Sequence, residues 1–477
     1  MELHVVIEGT KDLTGQLYRQ IKDAIRTGRL AAGEKLPPSR LLAEQLGLSR
    51  KTVAEAFARL IFDKLLVGQV GKGTFVSDVA RQVKPAETSP GFAGAAVAER
   101  WRSMPTPLRH AGPAGLLRFE YIGGAPARSL FPHADWRRCV LHALRQSTRS
   151  RGTYGEAEGL PELREAIARH VAFSRGVRCS MDDVIVTHGA QQALDLVARV
   201  LVEPGSTVAV EEPGYPPARQ LFAAQGAHVV GIPVDAEGMQ VEQIPEGTRL
   251  VYVTPAHQFP LGMPMSVARR KALLARAQAV GAIVIEDDYD SEFRYEGRPT
   301  DALQSMDRHG CVAFIGSFSK TLSPDLRLGY LIAPQAILQA VATAKHLSDW
   351  HTATPTQMAL AKFMADGDLL RHIRRCHAVY AQRRESIMRR LGSDLAPWLE
   401  CVPANAGFHL AALCRQPIDM DMLLRLARRV DVGLYALDGF YHFSPPRPGL
   451  ILGYGAIETA DIDPSLDRVR DILQQMG

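Results

Sequence analysis

From about Arg118 onward, short apolar runs alternate with longer stretches of helical periodicity, and few architectures accommodate that alternation. The runs at 184–187, 207–211, 250–254, 283–286 and 312–316 are almost continuously apolar. Strands covered on both faces read that way, because neither side of the pleat meets water. Between several of them lie stretches such as 190–201 and 267–280, where apolar residues recur at helical spacing. Strand–helix–strand repetition predicts βαβ units and a mostly parallel sheet. In such sheets ligands sit beyond the carboxyl ends of the strands, so the residues there carry the functional reading.

The first part of the chain has a different pattern. Leu13, Leu17, Ile21 and Ile25 recur at helical spacing. Pro37-Pro38-Ser39 offers a break and a cap, and Leu41, Leu42, Ala43 and Leu46 mark one face of a second helix that Gly47 ends. Ser49 is an N-cap for a third helix carrying Val53, Ala56, Phe57 and Leu60. Two short helices joined by a glycine-containing turn predict a helix-turn-helix. Short strands at 65–67 and 74–76, with Gly71-Lys72-Gly73 at their turn, add a β-wing.

Three segments follow: 1–78, the winged helix-turn-helix; 79–117, a basic linker rich in Ala, Pro, Gly and Arg, with a short helix near 97–101; and 118–477, the α/β body. Residues 1–78 carry a net charge of +3, residues 79–118 carry +4, and the rest carry −2. A basic front end on a slightly acidic body fits an anionic partner or a solvated surface. Hydrophobic residues at 46% and charged residues at 22% exclude global disorder. No apolar run approaches the roughly 18 residues of a membrane helix, and no signal peptide is recognisable at the start. The six cysteines are scattered, with no CxxC pair, so neither a metal site nor a disulfide framework is expected, and a reducing, cytoplasmic setting is.

The chemistry gathers at the strand ends. The run 184–187 leads into Gly189-Ala190-Gln191 at a helix start, where backbone N–H groups favour an anion. A second run ends in Glu212-Pro213-Gly214-Tyr215, placing an aromatic ring at the same edge. A third ends in Asp287-Asp288-Tyr289, carboxylates expected to face the crevice and able to hold a proton on a heterocyclic nitrogen. The fourth leads to Ser317-Phe318-Ser319-Lys320, with Arg327 seven residues on. Any one lysine is most often a solvated surface group. A lysine able to form a Schiff base, an acid, hydroxyls, an arginine and a helix N-terminus at successive strand ends together describe a pocket for pyridoxal phosphate.

These stretches resemble the MocR/GabR subfamily of GntR-type bacterial transcriptional regulators, in which a winged helix-turn-helix is fused to a fold-type I aminotransferase-like domain. The resemblance rests on Leu36-Pro37-Pro38-Ser39-Arg40, Leu48-Ser49-Arg50-Lys51-Thr52-Val53 and Gly71-Lys72-Gly73-Thr74-Phe75-Val76 in the reader. In the body it rests on Tyr154-Gly155, Gly159-Leu160-Pro161, the stretch Thr254 to Pro260, Glu286 to Asp290 and Gly316 to Lys320. It implies Lys320 as the Schiff-base lysine of pyridoxal 5'-phosphate, with Asp287 on the pyridinium nitrogen, Tyr289 on the phenolic oxygen and Tyr215 stacked on the ring. It implies Ala190, Gln191, Ser317 and Arg327 as phosphate ligands, with Tyr154 reaching the partner subunit's phosphate in a head-to-tail homodimer. It also implies a small-molecule effector (an amine, an amino acid or the vitamer itself).

Two departures from working aminotransferases weaken the expectation of turnover. The usual Asn-Pro-x-Gly reads Phe259-Pro260-Leu261-Gly262, and the position of the carboxylate-binding arginine reads Ile451. An uncharged side chain cannot make arginine's bidentate contact. For double-stranded promoter DNA the candidate contacts are Arg40, Ser49, Arg50, Lys51 and Thr52 around the recognition-helix start, and Lys72 at the wing tip. Three readings compete: a regulator using pyridoxal phosphate as sensor, an active aminotransferase with a fused DNA module, and a DNA-binding protein whose large domain only dimerises.

Overall fold

The computed structural model describes residues 12–69, 71–77, 97–102, 104–105, 117–148, 152–296 and 301–476, together with residues 5, 7 and 9. Contacts divide the chain into two units, Met1–Val97 and Ala98–Gly477. Most of the expected linker lies outside the described residues; within it, Glu99–Arg102 form one helical turn.

The first unit has helices Leu13–Arg26, Ser39–Leu46 and Arg50–Phe62, followed by strands Leu66–Gln69 and Gly73–Val76. The strands pair antiparallel from Leu66 opposite Val76 to Gln69 opposite Gly73, forming the wing. Leu17, Ile21, Ile25, Leu42, Val53, Phe57, Leu60, Leu66 and Val76 close one core. Gly47 adopts φ 64° and ends the second helix, as its missing Cβ allows. Ser49 caps the third: its hydroxyl accepts from the Thr52 backbone N–H at 3.0 Å.

Two expectations fail here. Leu41 is 46% exposed, because only Leu42 and Ala43 of that helix turn fully inward. Ser39 is the first helical residue rather than a cap, and Pro38 holds the cap position without a side-chain bond.

The larger unit contains an eight-stranded sheet. Across it run Val184–Thr187, Gly329–Ile332, Val312–Ser317, Ile283–Asp288, Thr248–Val253, Thr207–Glu212, His228–Asp235 and Gly238–Met239. The strands from Val312–Ser317 to His228–Asp235 pair parallel. Gly329–Ile332 runs antiparallel to both of its neighbours. Helices Ala190–Leu201 and Val267–Val280 fall on the stretches the periodicity marks. Ala193, Leu194, Val197 and Ala198 pack one sheet face, and Leu273 and Ala277 the other. A second, four-stranded antiparallel sheet orders Leu399–Cys401, His409–Cys414, Gly449–Gly453 and Tyr435–Ala436. Among the described residues, no helix is long and apolar enough to cross a membrane.

The strand Ile283–Asp288 extends two residues beyond the apolar run. Asp287 and Asp288 are therefore ladder residues, at 5% and 8% exposure, and Glu286 is fully buried. Only Asp287 points to the site. Glu286 accepts from the N–H groups of Leu303 and Gln304, at 2.7 and 2.9 Å, at a helix start. Asp288 accepts from Arg175 Nε at 2.6 Å. The expectation that the adjacent acids face an open crevice is corrected: alternation along the pleat sends Asp287 one way, and Glu286 and Asp288 to structural partners on the other.

Replacing the reader's cap by Ser49→Ala is expected to lower the unfolding free energy of the first unit by about 1 kcal/mol, read by urea denaturation.

Candidate functional site

Four strand ends and two helix starts supply the site. Lys320 follows the strand Val312–Ser317 on a single helical turn, Phe318–Thr321. Ser317 caps that turn by accepting from the Ser319 N–H at 3.1 Å. The Lys320 amine donates to the Gly124 carbonyl at 2.6 Å. Gly124 has φ 76°, a conformation that favours glycine, and a Cβ there would lie 2.8 Å from Nζ. Burial lowers the amine's pKa from the ordinary lysine value; Asp290 and Asp287 oppose that, and Arg327 adds to it. An amine that sheds its proton more readily is a better nucleophile toward an aldehyde.

Asp287 has a half-satisfied carboxylate. Oδ2 accepts from the Tyr252 hydroxyl at 2.8 Å. Oδ1 is buried and has no partner. Burial is the largest cause of a pKa raised to about 6; the Tyr252 hydrogen bond pulls the other way. An unpaired buried acceptor costs roughly 1–3 kcal/mol, so it marks a place where a donor belongs.

An anion cradle lies at the next strand end. Helix Ala190–Leu201 starts after Gly189, whose φ is 77° and which provides no side-chain cap. The first N–H groups, including those of Ala190 and Gln191, are thus left for another acceptor. Arg327, itself at φ 49°, donates from Nη2 to the His188 carbonyl at 2.8 Å. A Cβ at Gly189 would come within 3.1 Å of that guanidinium, so the glycine lets the cation reach the helix start.

Aromatic rings line the same region. Phe259 packs edge-on against Tyr215 at 5.6 Å, Tyr289 at 5.9 Å and Phe440 at 5.1 Å. Burial pushes the Tyr215 hydroxyl up to about 12. The Tyr289 hydroxyl donates to the His257 carbonyl at 2.9 Å. Ile451 is 2% exposed in an apolar group with Leu261, Val402, Ala411 and Leu437. A Cβ at Gly123 would meet its Cδ1 at 3.0 Å.

Lys320, Asp287, Tyr289 and Tyr215 thus converge with the Arg327–Gly189 cradle. Tyr154 does not join them through its ring contacts: it is 74% exposed and packs on Trp350 at 4.3 Å and His351 at 6.1 Å. In the reader, Arg40, Arg50, Lys51 and Lys72 are exposed. The hydroxyls of Ser49 and Thr52 lie 2.8 Å apart, and Ser49 is engaged in capping.

Several site residues carry no assignment from sequence. Gly124 enters from nearly two hundred residues upstream of Lys320. Tyr252 reads as an ordinary strand aromatic. Glu211 reads as the polar end of its run, yet it is 2% exposed, accepts from Thr254 Oγ1 at 2.6 Å and has a pKa raised to about 7 by burial. His257, Asp290 and His409 come together only in three dimensions. His257 and Asp290 lie inside the motifs that carry the family resemblance, but without a role of their own.

Burial lifts Asp287 from 3.8 to about 6, so the folded chain holds that proton more tightly than the unfolded one. The associated stability is full below the unfolded value and is lost as pH rises through about 6. Asp287→Asn is therefore expected to stabilise the cofactor-free chain by on the order of 1–3 kcal/mol at about pH 8, and by little at about pH 4. Urea unfolding at both pH values reads the difference.

With this geometry in place, the comparisons are specific. Residues 13–76 match Bacterial regulatory proteins, gntR family, and residues 131–445 match Aminotransferase class I and II. The chain is 34% identical over 457 residues to the probable rhizopine catabolism regulatory protein MocR of Rhizobium meliloti, covering 95% of this chain and 92% of that one. It is 32% identical over 441 residues to the HTH-type pyridoxine biosynthesis transcriptional regulator PdxR of Corynebacterium glutamicum, covering 92% and 91%. Among solved structures, kynurenine aminotransferase of Pyrococcus horikoshii matches with a TM-score of 0.69 and 27% identity, over 75% of this chain and 91% of that one. Both matched families in one chain, and relatives above 30% identity along nearly its whole length, show that it belongs to the MocR-type branch of the GntR transcriptional regulators.

Proposed function

We propose that this regulator holds pyridoxal 5'-phosphate on Lys320 and uses it to sense a small effector rather than to run a transamination cycle. The observation that carries the reading is the buried, unpartnered Asp287 Oδ1 in the same pocket as a desolvated lysine. A pyridinium N–H is the donor that oxygen lacks. The Arg327 guanidinium and the free N–H groups after Gly189 would take the phosphate, with Ser317 beside them. Tyr215 would stack on the ring, Tyr289 would face the phenolic oxygen, and Tyr154, exposed on its own subunit, would serve the partner's site in a head-to-tail homodimer. The cofactor, when bound, supplies an aldehyde that amines capture reversibly and a ring that withdraws electrons.

Weak or no turnover follows from this chain's own residues. Phe259 puts a ring where an amide would support the cofactor's oxygen, and Ile451 puts an apolar side chain where a cation would orient a carboxylate. The effector class is an amine, an amino acid or a B6 vitamer. The name of the pyridoxine biosynthesis relative supports the vitamer, and that of the probable rhizopine catabolism relative supports a different metabolite. An active aminotransferase is the second reading, favoured by the likeness to kynurenine aminotransferase.

At the other end, Arg40, Arg50, Lys51 and Lys72 would contact promoter DNA, with Ser49 and Thr52 setting the recognition-helix start. Residues 79–117 serve as the linker between reader and effector domain. A protein that acts on promoter DNA works in the cytoplasm of a bacterium. Regulation requires that the effector bind two arrangements of the protein with different affinity, because tight binding alone shifts nothing.

Lys320→Ala is expected to remove the visible absorbance of the loaded protein and leave no borohydride-trapped mass adduct; an unchanged spectrum refutes the assignment. Arg50→Ala is expected to weaken promoter binding by about 1–3 kcal/mol in a gel shift while cofactor absorbance stays. A metabolite screen read by both absorbance and gel shift tests the function as a whole: many turnovers without promoter binding would select the aminotransferase.

A further inference from the structure

The Tyr289 hydroxyl is held at two points by a single residue, His257. Oη donates to the His257 backbone carbonyl at 2.9 Å, and the same oxygen lies 3.1 Å from His257 Nδ1. On its other side, Nδ1 lies 3.0 Å from each oxygen of Asp290. His257 and Asp290 are each 1% exposed. Gly407 backs the pair: a Cβ there would collide with the imidazole and with Asp290 Oδ2, so the ring is clamped edge-on. Nε2 is buried without a partner.

A carboxylate facing Nδ1 keeps the proton on that nitrogen. The Nδ1–H is then shared between Asp290 and the Tyr289 oxygen. With His409, these groups lie close enough together to hold an ion. The 3.0 Å spacing of His257 and Asp290 is nonetheless that of a hydrogen bond, whereas zinc bonds to such atoms run about 2.0–2.2 Å. Burying an imidazole and a carboxylate together is costly unless they are hydrogen-bonded to each other, and here the paired Nδ1 also reaches the Tyr289 oxygen.

We propose that His257, with Asp290 behind it, is a positioning residue that aims the Tyr289 hydroxyl and strengthens it as a donor, and so sets the basicity of the cofactor nitrogen tethered through Lys320. This rests on the cofactor reading above. With the cofactor bound, the Tyr289 proton would turn from the His257 carbonyl to the phenolic oxygen while the tyrosine oxygen goes on accepting the Nδ1–H, and a hydroxyl whose oxygen accepts an N–H is polarised and donates more strongly. A strong donor on the cofactor's phenolic oxygen holds negative charge there and leaves less of it to retain the proton on the neighbouring nitrogen. The linkage then loses its proton at lower pH. The charged and titratable groups facing this relay are Asp287 and Asp288 on the strand, Asp290 just after it, Glu211 on another strand, His409 on the second sheet and Lys320. Substitution at His257 leaves all of them in the chain, so the effect of the hydrogen bond can be read separately.

The test is a pH titration of the visible absorbance of the full chain loaded with pyridoxal phosphate. His257→Ala is expected to raise the midpoint by roughly half to one pH unit, the worth of one hydrogen bond, and Tyr289→Phe likewise. His257→Asn, which can return an N–H near the position of Nδ1, should restore part of the shift and guards against a poorly folding alanine variant. In the double variant His257→Ala/Tyr289→Phe the shifts should not add, because one acts through the other. A coloured wild type whose His257→Ala variant titrates unchanged, or whose double variant shows full additivity, overturns this inference alone. A wild type that stays colourless overturns the cofactor reading and this inference with it.

Discussion

A carboxylate taken out of water with one oxygen unmatched is the constraint around which the larger unit is arranged. Asp287 sits at the end of a strand whose other positions are apolar or paired, and Tyr252 satisfies only one of its oxygens. The fold accepts that cost because the parallel sheet surrounds the strand end on both sides. On the same strand Glu286 and Asp288 find structural partners, although one oxygen of Asp288 is also buried without one. One receives two backbone N–H groups, and the other receives an arginine. Three consecutive acids therefore have three different electrostatic fates, decided by the face each one occupies and by the partner it meets there.

The two units handle charge in opposite ways. In the reader, arginine and lysine side chains stand in water near a capped helix start and a wing turn. Their attraction for a polyanion is long-ranged, screened by salt and weak in any single contact. In the larger unit the working groups are desolvated, so each partner shifts the chemistry of the next. Burial lowers the Lys320 amine, raises Asp287 to about 6 and raises Glu211 to about 7. A water-exposed basic surface and a desolvated, mutually coupled interior thus stand on one chain.

Much of this was legible in the sequence because it depends on periodicity and on local hydrogen bonding. The strand 184–187 and the helices 190–201 and 267–280 fall where apolar spacing puts them. Ser49 and Gly47 bound their helices because a hydroxyl can reach a backbone N–H and a residue without Cβ can adopt positive φ. Several strands were missed, two of them interrupted or short. His228–Asp235 is half-exposed and interrupted by Gly231 and Pro233, and Gly329–Ile332 is short and antiparallel among parallel neighbours. Leu41 was misassigned because a short helix has room for only a narrow inward stripe.

Amino-acid order alone settled which chemistry could be present: a lysine, an acid, an arginine and a helix start at successive strand ends, on a chain headed by a winged reader. Tertiary structure decided which of those groups meet. Gly124 receives the Lys320 amine, Tyr252 occupies one oxygen of Asp287, and His257 with Asp290 stands behind Tyr289. These pairings join residues far apart along the chain, and nothing in local spacing encodes them. They arise when strands align in register and the backbone closes over the site, so that burial sets which proton each group keeps.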